Sequence, residues 1–252
     1  MFRAYAALIL LGVIWGSNFL FMKWATALIT PSQTVFLRVL FGCLPLVAIA
    51  WHRNVITRAQ LAHLPHFIVM SVLATSFYYY GFVAGTALLP SSIAGLLSGS
   101  IPIFTFLGAA LFLPDERPTK QMAIGLALGF AGIALSARPW QGATGVSLIG
   151  VLWMLAGSLS VGASFVYARR FLSPLKLPPL ALATWQVGIA VITLSVLIDF
   201  DGITHLATDT KAMWGVILGL GALGTGAAFL IYYFIIETLG SVRAAGATYI
   251  AP

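Results

Sequence analysis

Nine apolar stretches follow one another along this chain, separated by short turns, and they decide what it can fold into. They run at about Ala4–Met22, Thr34–Trp51, His66–Leu88, Ile93–Leu113, Met122–Ala137, Val146–Ala168, Leu180–Ile198, Trp214–Ile236 and Val242–Pro252. A bilayer core is about 30 Å thick, and one helix crosses it in about 20 residues. Barrel strands would alternate in polarity over about ten residues; these segments are longer and apolar all round. They predict an all-α integral membrane protein. Only 8% of the residues are charged, against about 25% in an ordinary soluble domain. That cannot coat a soluble fold, so soluble enzymes, nucleic-acid binders and disordered chains are excluded. The net charge of +7 reflects basic loops of the kind that orient membrane helices.

Arg3, an apolar run and Ala25-Thr26-Ala27 superficially resemble a cleaved signal peptide. Polar and small residues at Trp15–Phe19 interrupt that run, so the first segment is read as a retained span. With a cytoplasmic amino terminus and alternating spans, Arg3, Arg53, Arg58, Arg117, Lys120, Arg169, Arg170, Lys176 and Arg243 fall inside. Lys23, Arg138 and Lys211 fall outside. This bias predicts a multi-pass protein of the plasma (inner) membrane with its N-terminus in the cytoplasm.

The chain also repeats itself. A shift of 146 lays Gly16-Ser17-Asn18-Phe19 over Gly162-Ala163-Ser164-Phe165 and Lys23 over Arg169. Pro31 and Pro178 each precede the next span. A shift of 150 lays Ser71–Pro102 over Gly221–Pro252, matching Leu73, Thr75, Leu89, Ser91, Ala94 and Pro102 with Leu223, Thr225, Leu239, Ser241, Ala244 and Pro252. The first copy, residues 1–137, holds five spans. An odd number inverts the second copy, residues 146–252, a common plan among secondary transporters. The expected architecture is two inverted five-helix repeats, a ten-helix plan whose second repeat stops inside helix nine. By that reading the natural protein has about 290 residues, since half a helix cannot end in hydrocarbon.

Several stretches resemble one family. Trp15-Gly16-Ser17-Asn18-Phe19 is similar to the opening signature of the EamA family in the drug/metabolite transporter superfamily. Arg38 stands where that family usually has an arginine. Ser98-Gly99-Ser100-Ile101-Pro102, followed by an apolar run and Asp115-Glu116-Arg117, resembles its fourth-helix stretch. Gly240–Ala245 through Tyr249–Pro252 resembles its ninth-helix entry. The resemblance implies ten helices in inverted repeats and transport of small metabolites, often amino acids.

Ionisable groups inside a membrane are costly and usually functional. Arg38 is the one charge well inside a span. It either faces a solute carboxylate, or binds helix-end carbonyls and snorkels toward the interface. Glu237, at a span end, reads as an interfacial anchor. No Asp or Glu lies mid-span, which disfavours proton coupling through a buried carboxylate. No His-Glu-x-x-His motif occurs. The single Cys43 allows no internal disulfide and reads as apolar filler. No metal and no cofactor are expected.

Polar and aromatic residues instead fall on helical faces. These are Trp15, Asn18 and Met22; Ser71, Thr75, Tyr78 and Phe82 beside Tyr79; and Ser91, Gly95, Ser98, Pro102 and Thr105. Further along come Trp153, Gly157, Ser160, Ser164 and Tyr167; Trp185 and Gln186; Thr225 and Tyr232; and Thr248 and Tyr249. The expected solute site comprises Trp15, Asn18, Arg38, Thr75, Tyr78, Tyr79, Ser98, Ser164, Trp185, Gln186, Thr225 and Tyr249, with Pro102 and Pro252 as kinks or hinges. For the Ser and Thr residues, helix packing is the competing reading.

The expected function is secondary transport of a small metabolite, amino-acid-like or amphipathic, by alternating access and without enzymatic chemistry. Amino-acid export is one form of it. The alternatives are a carrier of lipid-linked or other hydrophobic cargo and, in a different class, a membrane lipid transferase. A non-transporting scaffold would show a sealed interior. The partners are the solute and the bilayer, not nucleic acid, and a homodimer is left open.

Overall fold

A helix satisfies its own backbone hydrogen bonds, which hydrocarbon cannot do for it. The computed structural model describes residues 2–114, 119–137 and 146–250, and no strand occurs among them. The main helices are α1 (Phe2–Thr26), α2 (Pro31–His52), α3 (Arg58–Leu88), α4 (Ser91–Phe112), α5 (Lys120–Ala137), α6 (Leu148–Leu175), α7 (Pro179–Leu197), α8 (Thr210–Leu239) and α9 (Ser241–Ala245). Seven helices among the described residues, α1–α4 and α6–α8, are long and apolar enough to cross a bilayer. The protein is a multi-pass helical membrane protein. Leu111, Leu128, Leu148, Ile192 and Val196 project from its outside, where lipid rather than water suits them. The expected kink at Pro252, and the charges at Asp115, Glu116, Arg117 and Arg138, lie outside the described residues.

Local chemistry explains the helix starts and breaks. Thr30 caps α2, Pro31 opens its first turn, and Gln33 completes a capping box. The Gln33 Nε2 then donates to the carbonyls of Asp199 (3.0 Å) and Asp201 (2.6 Å), tying the start of α2 to the loop after α7. α4 is interrupted between Ser98 and Ile101. Pro102 has no N–H to offer the Ser98 carbonyl. The chain tightens just ahead of it, with the Ser100 amide bonding Leu97 at 3.0 Å. α3 widens to π-helical turns at Val72–Ser76, α6 at Ala168–Leu172 and α8 at Gly215–Ala227. Such widening frees carbonyls and gathers at functional sites.

Glycines set the closest helix crossings. A Cβ on Gly81 of α3 would lie 2.8 Å from the Trp153 carbonyl of α6 and 3.1 Å from Gly157 Cα. On Gly42 of α2 it would lie 2.6 Å from Thr225 Cβ of α8.

Several contacts recur at the sequence shifts of 146 to 150. Lys23 Nζ donates to the carbonyls of Thr86 (2.8 Å), Ala87 (3.4 Å) and Leu89 (2.9 Å) at the end of α3. Arg169 Nη1 meets the Glu237 carbonyl at the end of α8, at 3.5 Å. Phe19 packs on Phe82 with ring centroids 6.0 Å apart, and Phe165 on Tyr232 at 4.8 Å. Arg38 reaches Thr225, and Gln186 reaches Thr75.

Lys23 serves carbonyls that the end of α3 leaves without helical partners. Lys23→Met should therefore lower stability by about 1–2 kcal/mol, read as a lower melting temperature in detergent. An unchanged melting temperature would contradict this role.

Candidate functional site

Arg38 sits on α2 about two turns past Pro31, and only 1% of its surface is exposed. It does not snorkel. Its Nε donates to Thr225 Oγ1 at 3.1 Å and its Nη2 to the Gly224 carbonyl at 3.1 Å. That carbonyl belongs to the π-helical part of α8, so it is a mid-helix carbonyl rather than a helix-end one. The Thr225 hydroxyl donates on to Leu220 at 2.8 Å. The Tyr79 ring lies under the guanidinium, 3.5 Å from Cζ to centroid, a cation–π contact. The Asn18 amide, oriented by its neighbours, accepts from Nη2 at 2.9 Å and donates to the Ile14 carbonyl at 3.2 Å. Among the described residues Nη1 meets only Met22 Sδ, at 4.0 Å, and a thioether is a weak acceptor. No carboxylate pairs with Arg38 among the described residues.

Beside this cation lies a small cavity. Trp15, Asn18, Phe19, Met22, Arg38, Tyr78, Phe82, Ser98, Ile101 and Thr248 line it. The α4 break brings Ser98 and Ile101 to its wall. Ser98 donates to Gly95 at 2.6 Å and Thr248 to Ala245 at 2.8 Å. Trp15 is 5% exposed, and its Nε1 has no hydrogen-bond partner among the described residues. The cavity's volume is about 20 Å³, enough for about one water molecule. In this conformation it is closed.

The structure thus brings five of the expected site residues to one wall: Trp15, Asn18, Arg38, Tyr78 and Ser98. Tyr79 and Thr225 stand behind them and hold Arg38. Thr75 and Gln186 form a separate buried pair, with Gln186 Nε2 donating to Thr75 Oγ1 at 2.6 Å and Tyr233 Oη donating to Gln186 Oε1. Ser164 meets Tyr232 Oη at 3.0 Å. Trp185 lies apart, stacked on Phe67 and bonded to Gln60 at 2.8 Å. Tyr249 also lies apart, donating to the Leu126 carbonyl at 3.0 Å while its ring packs on Gly129. Phe19, Met22, Phe82, Ile101 and Thr248 complete the wall without having been in the expected set. Met22 and Phe82 share helical faces with Asn18 and Tyr78, four residues before each, so a signal existed for them. Nothing in the sequence marks the Gly224 carbonyl.

Arg38 is thus a buried cation, without an acidic partner among the described residues, across a small cavity from the break in α4. The family model of EamA-like transporters matches residues 2–138 and again residues 148–252. The chain belongs to the EamA-like transporter family, and it is a membrane transporter. It is 22% identical to the uncharacterized transporter YoaV of Bacillus subtilis (strain 168), over all of this chain and 86% of that protein. It is 24% identical to the uncharacterized inner membrane transporter YedA of Escherichia coli (strain K12), over 98% of this chain and 79% of that one. One solved protein crystal structure superposes with a TM-score of 0.71 at 20% identity, covering 99% of this chain and 85% of that chain. This last likeness speaks to the fold.

Proposed function

We propose that this protein is a secondary transporter carrying a small metabolite, amino-acid-like or amphipathic, by alternating access. Two inverted five-helix repeats in a ten-helix plan, residues 1–137 and 146–252, would rock against each other about the cavity beside Arg38. The cytoplasmic amino terminus and the inner membrane complete the reading. The observation that carries it is the buried guanidinium, held by Asn18, Tyr79, Gly224 and Thr225 and facing a cavity with no acid partner among the described residues. The recurring Lys23/Arg169, Phe19/Phe165 and Arg38/Gln186 contacts and the two family matches support the repeat. A scaffold would have a sealed interior, as this conformation does. It would have no reason to retain a buried charge costing about 2.5–3.5 kcal/mol.

A proteoliposome screen of labelled metabolites, with and without a proton gradient, tests this reading. Saturable uptake of one class supports it; no saturable flux of any solute would sink it. Pro102 bears on the mechanism. Pro102→Ala restores an N–H for the Ser98 carbonyl, straightens α4 and should slow transport several-fold at normal protein levels. Normal rates at normal levels would refute the hinge.

One observation favours a second reading, a carrier of hydrophobic or lipid-linked cargo. A groove of about 600 Å³ opens between α4 and α6, lined by Phe104, Leu107, Leu111, Leu159 and Val166, with Arg170 at one end. Flux of a lipid-linked substrate, and of no soluble one, would select it.

A further inference from the structure

Two donors at the cavity wall lack a good acceptor. Trp15 Nε1 is buried without a partner among the described residues. Arg38 Nη1, with two N–H groups, has only a thioether at 4.0 Å. Thr225 Oγ1 and the Gly224 carbonyl take the other side of the guanidinium, and the Asn18 oxygen takes Nη2. The Ser98 and Thr248 hydroxyls also line the wall and spend their protons on the Gly95 and Ala245 carbonyls. The rest of the wall is Tyr78 and the apolar Phe19, Met22, Phe82 and Ile101. Buried donors call for acceptors, and an unpaired guanidinium calls for an anion with two oxygens. The flat, apolar remainder calls for an aromatic or branched tail.

We infer that the solute is a monocarboxylate with an apolar tail, its carboxylate held between Trp15 Nε1 and Arg38 Nη1, and that it lacks an ammonium group. This rests on the transporter reading above and narrows it. An amino acid would place its ammonium within a few ångströms of Arg38, where like charges repel. None of the wall residues is acidic. Of the chain's six acidic residues, Asp199, Asp201, Asp209 and Glu237 lie in loops or at the end of α8. The other two, Asp115 and Glu116, lie outside the described residues. A carboxylate, by contrast, neutralises Arg38, the one buried cation among the described residues.

A charge consequence follows. Without a co-transported proton, each turnover moves one negative charge. An inside-negative membrane potential then drives the solute outward, with an equilibrium ratio of about 50-fold per 100 mV.

The test uses the full-length protein in proteoliposomes with a potassium diffusion potential and three labelled probes: 3-phenylpropionate, phenylalanine and 2-phenylethylamine. The expected result is saturable, potential-dependent flux of 3-phenylpropionate, at least about tenfold weaker flux of phenylalanine, and none of 2-phenylethylamine. Equal or better transport of phenylalanine or 2-phenylethylamine, or flux indifferent to potential, overturns the inference. If none of the three moves but a solute that is not a monocarboxylate does, the carboxylate assignment fails while the transporter reading stands. If no solute moves in the wider screen, that reading itself fails. Trp15→Phe keeps the ring and removes the N–H. It should raise KM for 3-phenylpropionate about five- to tenfold with little change in kcat. An unchanged KM would contradict the placement of the carboxylate.

Discussion

Arg38→Gln is expected to abolish most transport while leaving the protein as stable as before, or more so. The two halves of this expectation have separate causes. A charge-assisted bond to a ligand is worth about 1.5–3 kcal/mol, so losing it should cut transport about 10- to 100-fold. Stability moves the other way because Arg38 has no acidic partner among the described residues to orphan. Removing one member of a buried ion pair is strongly destabilising, whereas removing an uncompensated charge relieves desolvation. Glutamine still offers a donor to the Gly224 carbonyl, which Arg38 meets at 3.1 Å. Arg38→Lys should fare little better in transport. One ammonium cannot reproduce the planar fork that serves Thr225, Gly224 and Asn18 together. Melting in detergent and initial rates in proteoliposomes check both halves. A large loss of stability with proportionate loss of transport would make Arg38 a structural strut.

Gly81→Ala should have the largest effect on the fold itself. The new methyl would sit 2.8 Å from a backbone carbonyl of α6 and 3.1 Å from Gly157 Cα. Neither neighbour is a side chain that can rotate away, so α3 and α6 must separate. Overpacking of this kind costs about 1–3 kcal/mol. It acts where close approach is what holds membrane helices together. The expected outcome is a sharp fall in monodisperse protein extracted from the membrane. Gly188, with nothing near its would-be Cβ, supplies the control: Gly188→Ala should be neutral or mildly stabilising. Equal yields for the two variants would contradict the crossing.

The spans were legible because hydrocarbon leaves little choice. Thr34–Trp51 from the sequence became Pro31–His52, and Met122–Ala137 became Lys120–Ala137. The third span begins earlier than expected, at Arg58 rather than His66. Its 3₁₀ start, Arg58–His63, mixes Arg58, Gln60 and His63 with Ala59, Leu61 and Ala62, so it does not read as part of the apolar run. The ninth stretch, read as one apolar run from Val242, holds only the short helix Ser241–Ala245 and a 3₁₀ turn, Gly246–Tyr249.

Within the site, Trp15, Asn18, Tyr78 and Ser98 were legible because polar or aromatic groups on one helical face need a reason. Arg38 was legible as a charge but not as a buried one. Its depth depends on how α2 packs against α8, whose Gly224 carbonyl and Thr225 hydroxyl receive the guanidinium, a contact between distant parts of the chain. The Gly224 carbonyl was invisible, since a backbone acceptor is freed by a change of helical pitch and not by a residue type. Trp185 and Tyr249 show the converse. Each has a polar group on an apolar helix, and each spends it on a neighbouring Gln60 or Leu126 away from the cavity.

The central claim is that the cavity beside Arg38 is where a solute crosses. Its most direct test is counterflow in proteoliposomes, comparing the unaltered protein with Arg38→Gln at matched reconstitution levels. The account predicts saturable exchange by the first and at least a tenfold loss in the second, with both proteins melting at similar temperatures. Undiminished exchange by Arg38→Gln would contradict it.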